Sequence, residues 1–294
     1  MLISKYIVSG YIIAEQNGIY PMFSGHNTIC VVTALLETGL VSMESPVTEF
    51  MLESPGGLIS VTADCQHGRV GQVKLTSMPA FVGKVGTFVI SIYLYLLTPS
   101  SQQRDVKVSV PTVGELTVDI AFGGMWYVIV NIDQVGLDIR PEEGARLARL
   151  GEMVKMATRQ QCPVVHPTLD YPGPDILVWT QGSGLSRRNT VVMSCGEGDT
   201  QTGMLDRSPC GSGTAAVMAL MYDRGELELG QTFRHQSVLD TVFTGHLVDT
   251  VQVSDQVTGV TPVICGRGWV TGVADVIIEA DDPLPTGYTV ADIW

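Results

Sequence analysis

Positively charged residues are scarce in this chain. Its 17 Lys and Arg residues oppose 30 Asp and Glu residues, so the formal net charge is −13. A nucleic-acid backbone and an anionic membrane surface would both repel such a protein. No apolar run reaches the roughly 18 residues that a transmembrane helix needs, and the first residues lack the basic, apolar and small-residue order of a signal peptide. We therefore expect a cytoplasmic protein that acts on a small molecule.

The cysteines lack a metal-binding pattern. They form no CxxC pair and show no His spacing of the zinc type. The six are Cys30, Cys65, Cys162, Cys195, Cys210 and Cys265. The sequence also has no phosphate loop, dinucleotide fingerprint or lysine context for pyridoxal phosphate. We expect reduced thiols, no metal and no cofactor.

One cysteine stands at a chemically distinctive place, in the stretch RSPCGSGTAAVMAL at residues 207–220. Cys210 follows a proline and precedes a glycine-rich turn that opens an Ala-rich, helix-favouring run. The unpaired N–H groups at the start of a helix favour thiolate over thiol, so this position suits a nucleophile or a proton-abstracting base. The alternative is a small buried side chain in a tight turn.

The Cys210 segment has a partner earlier in the chain. SGHNTICVVTALLETGLV at 24–41 aligns without gaps with CGSGTAAVMALMYDRGEL at 210–227. The matched pairs include Ser24 with Cys210, Gly25 with Gly211, Thr28 with Thr214, and Gly39 with Gly225. The segments from Phe50 and from Phe233 also share a strand, turn, strand pattern. A generic turn-plus-helix unit used twice is the alternative, but the shared element order indicates duplication.

The remainder is predicted to consist mostly of short strands. β-branched or alternating runs bounded by Gly, Pro and Asp extend from residue 57 to a final run at 261–280. Apolar spacing predicts only three helices, over about 27–38, 141–158 and 213–223, the second opened by Pro141. The pattern predicts an α+β fold of two similar halves, each a strongly curved sheet with a helix against it. The first half covers 1–112 and the second 113–284.

A cleft between two such halves would bring both helix N-termini together. The backbone N–H groups of Gly25, His26, Gly211 and Ser212 would then bind a carboxylate. Ser24 and Cys210 would flank the carbon that carries it. This is the arrangement needed to remove or return a proton at the α-carbon of an amino acid.

Two motifs resemble the active-site motifs of the proline racemase family: MFSGHNTI at 22–29 and DRSPCGSGT at 206–214. The resemblance runs over most of the chain and includes AFGGMWYVIVN at 121–131, HP at 166–167 and GWVTGVADVIIEADDPLPTGY at 268–288. The family contains cofactor-independent proline racemases, hydroxyproline 2-epimerases and trans-3-hydroxy-L-proline dehydratases. The resemblance implies the diaminopimelate-epimerase-like fold, in which each duplicated half wraps its strands around a central helix, and it implies a homodimer.

By this resemblance Cys210 matches the second catalytic cysteine, and Ser24 stands where racemases carry the first. A serine hydroxyl is a far poorer base than a thiolate near neutral pH. We therefore expect racemisation in both directions to be slow. The leading hypothesis is dehydration of trans-3-hydroxy-L-proline to a pyrroline carboxylate, with Cys210 as base and Ser24 as acid or orienting group. A 4-hydroxyproline 2-epimerase, or a proline racemase-like isomerase, is the alternative, and an inactive binding or vestigial homologue is the third reading. Sequence leaves open which of the two side chains faces the α-proton.

Four further polar residues are candidates for substrate contact. Asp206 would hold the secondary ammonium of the substrate, with a turn-forming role as the alternative. His26 would orient Ser24 or position the substrate, unless it only caps the turn. His166 and Asp170 would reach the ring hydroxyl, although a loop rich in proline and polar residues is commonly only a loop.

Two regions depart from the family pattern. The first half is shortened at its N-terminus, and a tail at about 285–294 is expected to return to it. An apolar stretch at 86–105 falls where the family has a short connection between strands, and it reads as a β-prone, aggregation-type window. Residues 1–10 and 86–105 are therefore candidates for retained non-coding sequence.

Overall fold

The computed structural model describes residues 7–14, 20–83, 103–194, 203–275 and 277–285. Within these ranges the chain forms three α-helices, two short 3₁₀ helices and sixteen strands. The helices are α1 (Gly25–Glu37), α2 (Gly144–Gln161) and α3 (Gly211–Asp223), and the 3₁₀ helices are Ile132–Val135 and Pro141–Glu143. The strands are β1 (Ile7–Gly10), β2 (Val47–Ser54), β3 (Gly57–Gln66), β4 (Arg69–Thr76), β5 (Phe81–Val82), β6 (Val106–Val110), β7 (Gly114–Phe122), β8 (Trp126–Asn131), β9 (Val164–Val165), β10 (Pro172–Gly173), β11 (Ile176–Gln181), β12 (Ser186–Ser194), β13 (Gly203–Leu205), β14 (Phe233–Gln236), β15 (Val242–Ser254) and β16 (Val257–Gly266).

Fourteen of these strands form one sheet. Its main path runs β1-β2-β3-β4-β16-β15-β14-β12-β11-β8-β7-β5, with β13 paired to β12 and β6 paired to β7. The remaining two strands, β9 and β10, pair with each other. The α+β class, with a large sheet and few helices, is confirmed. The division of the chain at residue 112 stays a prediction.

The predicted duplication is visible in the sheet order. After α1 the chain forms the antiparallel neighbours β2, β3 and β4, and after α3 it forms β14, β15 and β16. Strand β4 pairs with β16 in antiparallel register, with Thr76 opposite Val263. The two equivalent units therefore join edge to edge through their last strands.

Helix α3 lies at the centre of the fold and is buried on every side from Gly211 to Met221. It contacts strands β5, β7, β8, β15 and β16, and its residues are small or apolar, which suits a helix surrounded by protein. Helix α1 differs, because it buries one stripe against β4 and β16 and exposes Cys30 and Ala34. The central-helix prediction therefore fits α3 fully and α1 in part.

Helix α2 covers the opposite face of the sheet. It packs on β6, β11, β12 and β13, and Pro141 opens the turn before it, as predicted. Side chains of the central strands alternate between the two faces: Tyr127 and Ile129 face α3, while Val128 and Val130 face α2. This period-two pattern explains why β8 is apolar throughout, since both of its faces are covered.

The strand prediction is wrong beyond Gly266. Residues 267–275 and 277–280 have no regular secondary structure, and Trp269, Val273 and Ile277 are exposed there. β-propensity alone does not form a strand, because the backbone needs a partner edge for hydrogen bonding. The expected return of a tail at about 285–294 falls almost wholly outside the described residues.

Most of the unusual stretch at 86–105 also lies outside the described residues, but the chain on either side is described. The Gln103 N–H donates to the Gly83 carbonyl at 2.8 Å, and both residues bond to Ile120 of β7. Gly83 and Gln103 therefore lie side by side next to β7. No helix in the described part of the protein has the length and apolar content to cross a membrane.

Candidate active site

The N-termini of α1 and α3 meet, as the sequence predicted. A Cβ atom added to Gly25 would lie 2.8 Å from the Gly211 Cα atom, and one added to Gly211 would lie 2.5 Å from the Gly25 Cα atom. Only residues without a side chain permit this approach. The glycine pair that the internal alignment placed opposite each other is therefore the point where α1 and α3 touch.

This contact gathers the free donors of both first turns. Ser24 and Cys210 are the N-cap residues, and each side chain accepts the N–H of the third helical residue. The next N–H groups, of Thr28 and Thr214, bond to the N-cap carbonyls. The N–H groups of Gly25, His26, Gly211 and Ser212 have no partner within the described ranges. Four N–H groups at two facing helix N-termini make a site for an anion.

Cys210 is held in an unusual backbone conformation at this place. Its φ is +58° and its ψ is 118°, a region that residues other than glycine rarely adopt. The Cys210 N–H donates to Ser208 Oγ at 3.1 Å, and the carbonyl accepts from Thr214 Oγ1 at 2.6 Å. These bonds fix the turn, and Cys210 is 6% exposed.

The sulfur atom of Cys210 faces several hydrogen-bond donors. The Gly213 N–H lies 3.4 Å from Sγ, and the Tyr127 hydroxyl also lies 3.4 Å away. Ser212 Oγ lies 3.8 Å from Sγ and 2.7 Å from the Tyr127 hydroxyl. Donors around a sulfur stabilise its negatively charged form, so this environment suits a thiolate base.

Sequence reasoning missed Tyr127. It lies on β8, 83 positions before Cys210 along the chain, in a strand that reads only as apolar. One signal was present, because a tyrosine in a fully buried strand needs a partner for its hydroxyl. The identity of that partner depends on strand register and helix position, which the sequence does not show.

Asp206, His26 and Ser208 form one hydrogen-bonded group beside Cys210. His26 Nδ1 lies 3.3 Å from Asp206 Oδ2 and 3.1 Å from Ser208 Oγ. The Ser208 N–H donates to Asp206 Oδ1 at 2.9 Å, and its hydroxyl donates to Oδ2 at 3.1 Å. The group connects the first turn of α1 to the loop before α3.

The charges in this group stabilise one another. Burial lowers the pKa of His26, but hydrogen bonds and charge interactions with Asp206 and Cys210 outweigh it and raise the pKa to about 11. Burial would raise the pKa of Asp206, whereas the hydrogen bond and charge of His26 bring it below its usual value. An imidazolium and a carboxylate therefore stand together near neutral pH.

Ser24 has a simpler environment. Within the described residues, its side chain makes one hydrogen bond, as the acceptor of the Asn27 N–H at 3.5 Å. The predicted contact of His26 with Ser24 is not among the described contacts, because the ring of His26 bonds to Asp206 and Ser208 instead. The Ser24 backbone is held by Thr28 Oγ1, which donates to its carbonyl at 2.8 Å and also bonds to the Tyr11 hydroxyl.

His166 and Asp170 do not join these side chains in the described contacts. His166 Nδ1 accepts the N–H groups of Thr168 and Leu169, both at 3.2 Å, and its ring packs edge-on against Phe81 and Phe122. Burial lowers the pKa of His166, and Asp170 is exposed. These contacts favour the loop interpretation.

Metal ligands are not gathered in the described part of the chain. No group of three or more His, Cys, Asp or Glu side chains in those ranges could hold a metal ion. What the site offers is an anion-binding pair of helix starts, a buried thiol, a hydroxyl and an imidazolium–carboxylate pair. These are groups for binding an amino acid and moving a proton.

Comparison with known proteins agrees with this site. The profile of the family described as proline racemase matches residues 5–289. A hydroxyproline epimerase from Agrobacterium vitis, solved with bound trans-4-hydroxy-L-proline, is 32% identical with a TM-score of 0.81, over 97% of this chain and 75% of that chain. A probable proline racemase from Agrobacterium radiobacter K84, solved with bound carbonate, is 31% identical with a TM-score of 0.80, over 97% of this chain and 76% of that chain. The chain belongs to the proline racemase family.

Proposed function

We propose that this protein abstracts the α-proton of a hydroxyproline with Cys210 as the base, and that its principal reaction is dehydration of trans-3-hydroxy-L-proline. The observation that carries the proposal is the meeting of two helix N-termini with a buried cysteine at the start of one of them. The relative from Agrobacterium vitis, which was solved with bound trans-4-hydroxy-L-proline, supports a cyclic imino acid as the class of substrate.

The substrate carboxylate would accept the N–H groups of Gly25, His26, Gly211 and Ser212. Its α-carbon then lies between the two N-cap side chains, because Ser24 and Cys210 cap the same two helices. Asp206 supplies the negative charge for the secondary ammonium. His26 already forms an ion pair with the Asp206 carboxylate, so the site holds one cation before the substrate binds. The substrate carboxylate balances the positive charge that the ammonium adds.

The reaction begins with transfer of the α-proton to the Cys210 thiolate. The electron pair of the broken C–H bond delocalises into the carboxylate, where four N–H donors stabilise the developing charge. The pair then forms the double bond between Cα and C3 as the C3–O bond breaks. The departing hydroxide takes the α-proton from the Cys210 thiol, which lies on the same ring face as the 3-hydroxyl, and leaves as water. Cys210 is a thiolate again, Ser24 orients the substrate from the opposite face, and the enamine tautomerises to the cyclic imine.

The different surroundings of the Cys210 and Ser24 side chains support dehydration over racemisation. The sulfur of Cys210 accepts the Gly213 N–H and lies near the hydroxyls of Tyr127 and Ser212, whereas the only bond of the Ser24 hydroxyl in the described residues is to the Asn27 N–H. None of the described side chains would remove its proton. Racemisation needs two groups that each act as acid and base, while dehydration needs one strong base.

Epimerisation of 4-hydroxyproline is the second candidate. It is favoured by the 32% identity to a hydroxyproline epimerase over 97% of this chain. In that reaction Ser24 would return a proton to the face opposite Cys210. The same binding arrangement serves both reactions, and they differ only in the fate of the carbanion.

Proton NMR in deuterated water separates the candidates. The purified protein is incubated with trans-3-hydroxy-L-proline and, separately, with trans-4-hydroxy-L-proline. A Cys210→Ser variant is the test control, and Cys30→Ser, which changes an exposed thiol on α1, is the matched control. Conversion of the 3-hydroxy substrate to a cyclic imine, lost in Cys210→Ser and kept in Cys30→Ser, is the expected result.

Other outcomes have distinct meanings. An α-deuterated epimer of the 4-hydroxy substrate, without imine from the 3-hydroxy substrate, would replace the dehydratase proposal with the epimerase. A folded protein that turns over neither substrate and incorporates no deuterium at either α-carbon would overturn both and leave a vestigial homologue.

A further inference from the structure

Tyr127 is a buried polar residue whose hydroxyl contacts the Cys210 sulfur and which the proposed chemistry does not use. Its side chain is 1% exposed and reaches the first turn of α3 from the neighbouring sheet. Gly213 makes room for it: a Cβ atom there would lie 3.3 Å from Tyr127 Cε1 and 3.2 Å from Cys210 Sγ. The phenol, the glycine and the thiol are therefore packed as one unit.

The hydroxyl of Tyr127 has two partners. It lies 2.7 Å from Ser212 Oγ and 3.4 Å from Cys210 Sγ, while Ser212 Oγ is farther from the sulfur, at 3.8 Å. The chain of shortest contacts therefore runs from Ser212 Oγ to the Tyr127 hydroxyl and from there to Cys210 Sγ. When Ser212 donates to the phenol oxygen, the phenol proton is available to the sulfur.

We propose that Tyr127 is a positioning residue that stabilises the thiolate of Cys210 by donating its hydroxyl hydrogen bond to Sγ, with Ser212 supporting it. Hydrogen bonds to a charged acceptor are roughly twice as strong as those between neutral groups. The bond therefore favours the thiolate over the thiol and holds the sulfur in one rotamer. This inference rests on the proposed role of Cys210 as the base.

The charged groups around the sulfur are consistent with such a donor. His26 on α1 and Asp206 on the loop before α3 interact electrostatically with this unit, and Tyr127 approaches from β8. Burial and the neighbouring Cys210 raise the pKa of Tyr127 well above its usual value. The phenol consequently keeps its proton over the working pH range and remains a donor.

The test measures the thiolate without using any substrate. The rate of Cys210 alkylation by iodoacetamide is followed against pH, with mass spectrometry of the peptide that contains Cys210. In Tyr127→Phe the midpoint should move to higher pH by about one unit, which corresponds to about tenfold less thiolate at a given pH below it. The matched control is Tyr11→Phe, which removes a phenol bonded to Thr28 at the other helix start and should leave the midpoint unchanged.

Ser212→Ala is the second variant. It removes the supporting hydroxyl and leaves the phenol free to donate to the sulfur, so its midpoint should move less than that of Tyr127→Phe. An unchanged midpoint in folded Tyr127→Phe, or a larger shift in Ser212→Ala than in Tyr127→Phe, overturns the inference. If Tyr127→Phe does not fold, a Ser212→Ala shift of less than one unit supports the direct bond and a shift of one unit or more contradicts it. If the protein turns over neither hydroxyproline but the alkylation midpoints of the variants shift as expected, this inference holds and the proposed function fails.

Discussion

At the level of single residues, Cys210 and Ser24 occupy equivalent N-cap positions with different backbone conformations. Ser24 has φ −145° in the extended region, whereas Cys210 has φ +58°. A residue other than glycine in the latter region costs about 1–3 kcal/mol. The bonds from Ser208 and Thr214 hold Cys210 there, which places a strained turn at the proposed base.

Replacing Ser24 with cysteine tests whether the hydroxyl limits the reaction to one direction. Ser24→Cys restores a second thiol at the opposite helix start, so reprotonation from that side should become effective. We expect the rate of epimerisation to rise at least about tenfold relative to dehydration. The measurement is the ratio of α-deuterated epimer to imine by NMR. A ratio that is unchanged in a folded Ser24→Cys protein would show that the hydroxyl is not the limiting group.

At the level of elements, the approach of α1 to α3 depends on two glycines. In Gly211→Ala the new methyl group would lie 2.5 Å from the Gly25 Cα atom and 3.1 Å from the His26 nitrogen. Both are backbone atoms, so the helices must separate. We expect a loss of about 1–3 kcal/mol in the free energy of unfolding, measured by urea denaturation, together with loss of turnover.

The matched control is Gly144→Ala. Gly144 also begins a helix, α2, but its added Cβ atom would meet only Leu205 Cδ1 at 3.6 Å, which is ordinary contact. This variant should keep activity and gain about 0.4–1 kcal/mol of stability. Equal losses of stability in Gly211→Ala and Gly144→Ala would contradict the claim that the contact between α1 and α3 requires glycine. They would show that any glycine at the start of a helix has the same effect.

His235 connects β14 to α3 and makes the fold sensitive to acid. Its Nδ1 lies 2.9 Å from Thr214 Oγ1, and its Nε2 is buried with no partner in the described residues. Burial, aided by the charge of Arg187, lowers the pKa of His235 from 6.5 to about 3. The unfolded chain binds a proton near pH 6.5 and the folded chain does not, so the free energy of unfolding falls as the pH drops from about 6.5 to 3.

His235→Phe should remove this part of the acid sensitivity. The phenyl ring fills the same buried space without a titrating nitrogen, so the free energy of unfolding should fall less steeply between pH 6.5 and 3. Urea denaturation across that range, for both proteins, provides the comparison, and above pH 7 the two curves should run parallel. Equal slopes below pH 6.5 would mean that His235 is not buried in its neutral form.

At the level of the whole molecule, the residues on either side of 84–102 lie side by side next to β7. Gly83 and Gln103 bond to each other and to Ile120, and Gln103 is 3% exposed. The two ends are therefore close enough for a short linker to join them.

Deleting residues 84–102 and joining Gly83 to Gln103 through three glycines should preserve the fold. Connecting the two ends with three residues in place of nineteen lowers the closure-entropy cost by about 1.6 kcal/mol, so the free energy of unfolding should stay equal or rise. Urea denaturation and the alkylation of Cys210 compare the shortened chain with the full chain. An unfolded or insoluble product would show that the deleted residues belong to the core.

The sequence by itself determined the three helices, the α+β class, the duplicated helix starts and the cysteine at one of them. These features depend on local signals, namely apolar spacing, Pro141 before α2 and the glycine turns. The alignment of Ser24 with Cys210 was enough to predict that the two starts face one site, because equivalent units in a duplicated fold occupy related positions.

Only the tertiary structure decided which side chains surround the sulfur. Tyr127 reaches Cys210 because β8 passes beside α3 in a register that directs alternate side chains inward. The partners of His26 depend in the same way on the loop before α3, where Asp206 and Ser208 lie. Whether residues 267–275 and 277–280 form a strand depended on whether a strand edge was present to pair with them. Such contacts arise between residues far apart along the chain, so local sequence patterns do not encode them.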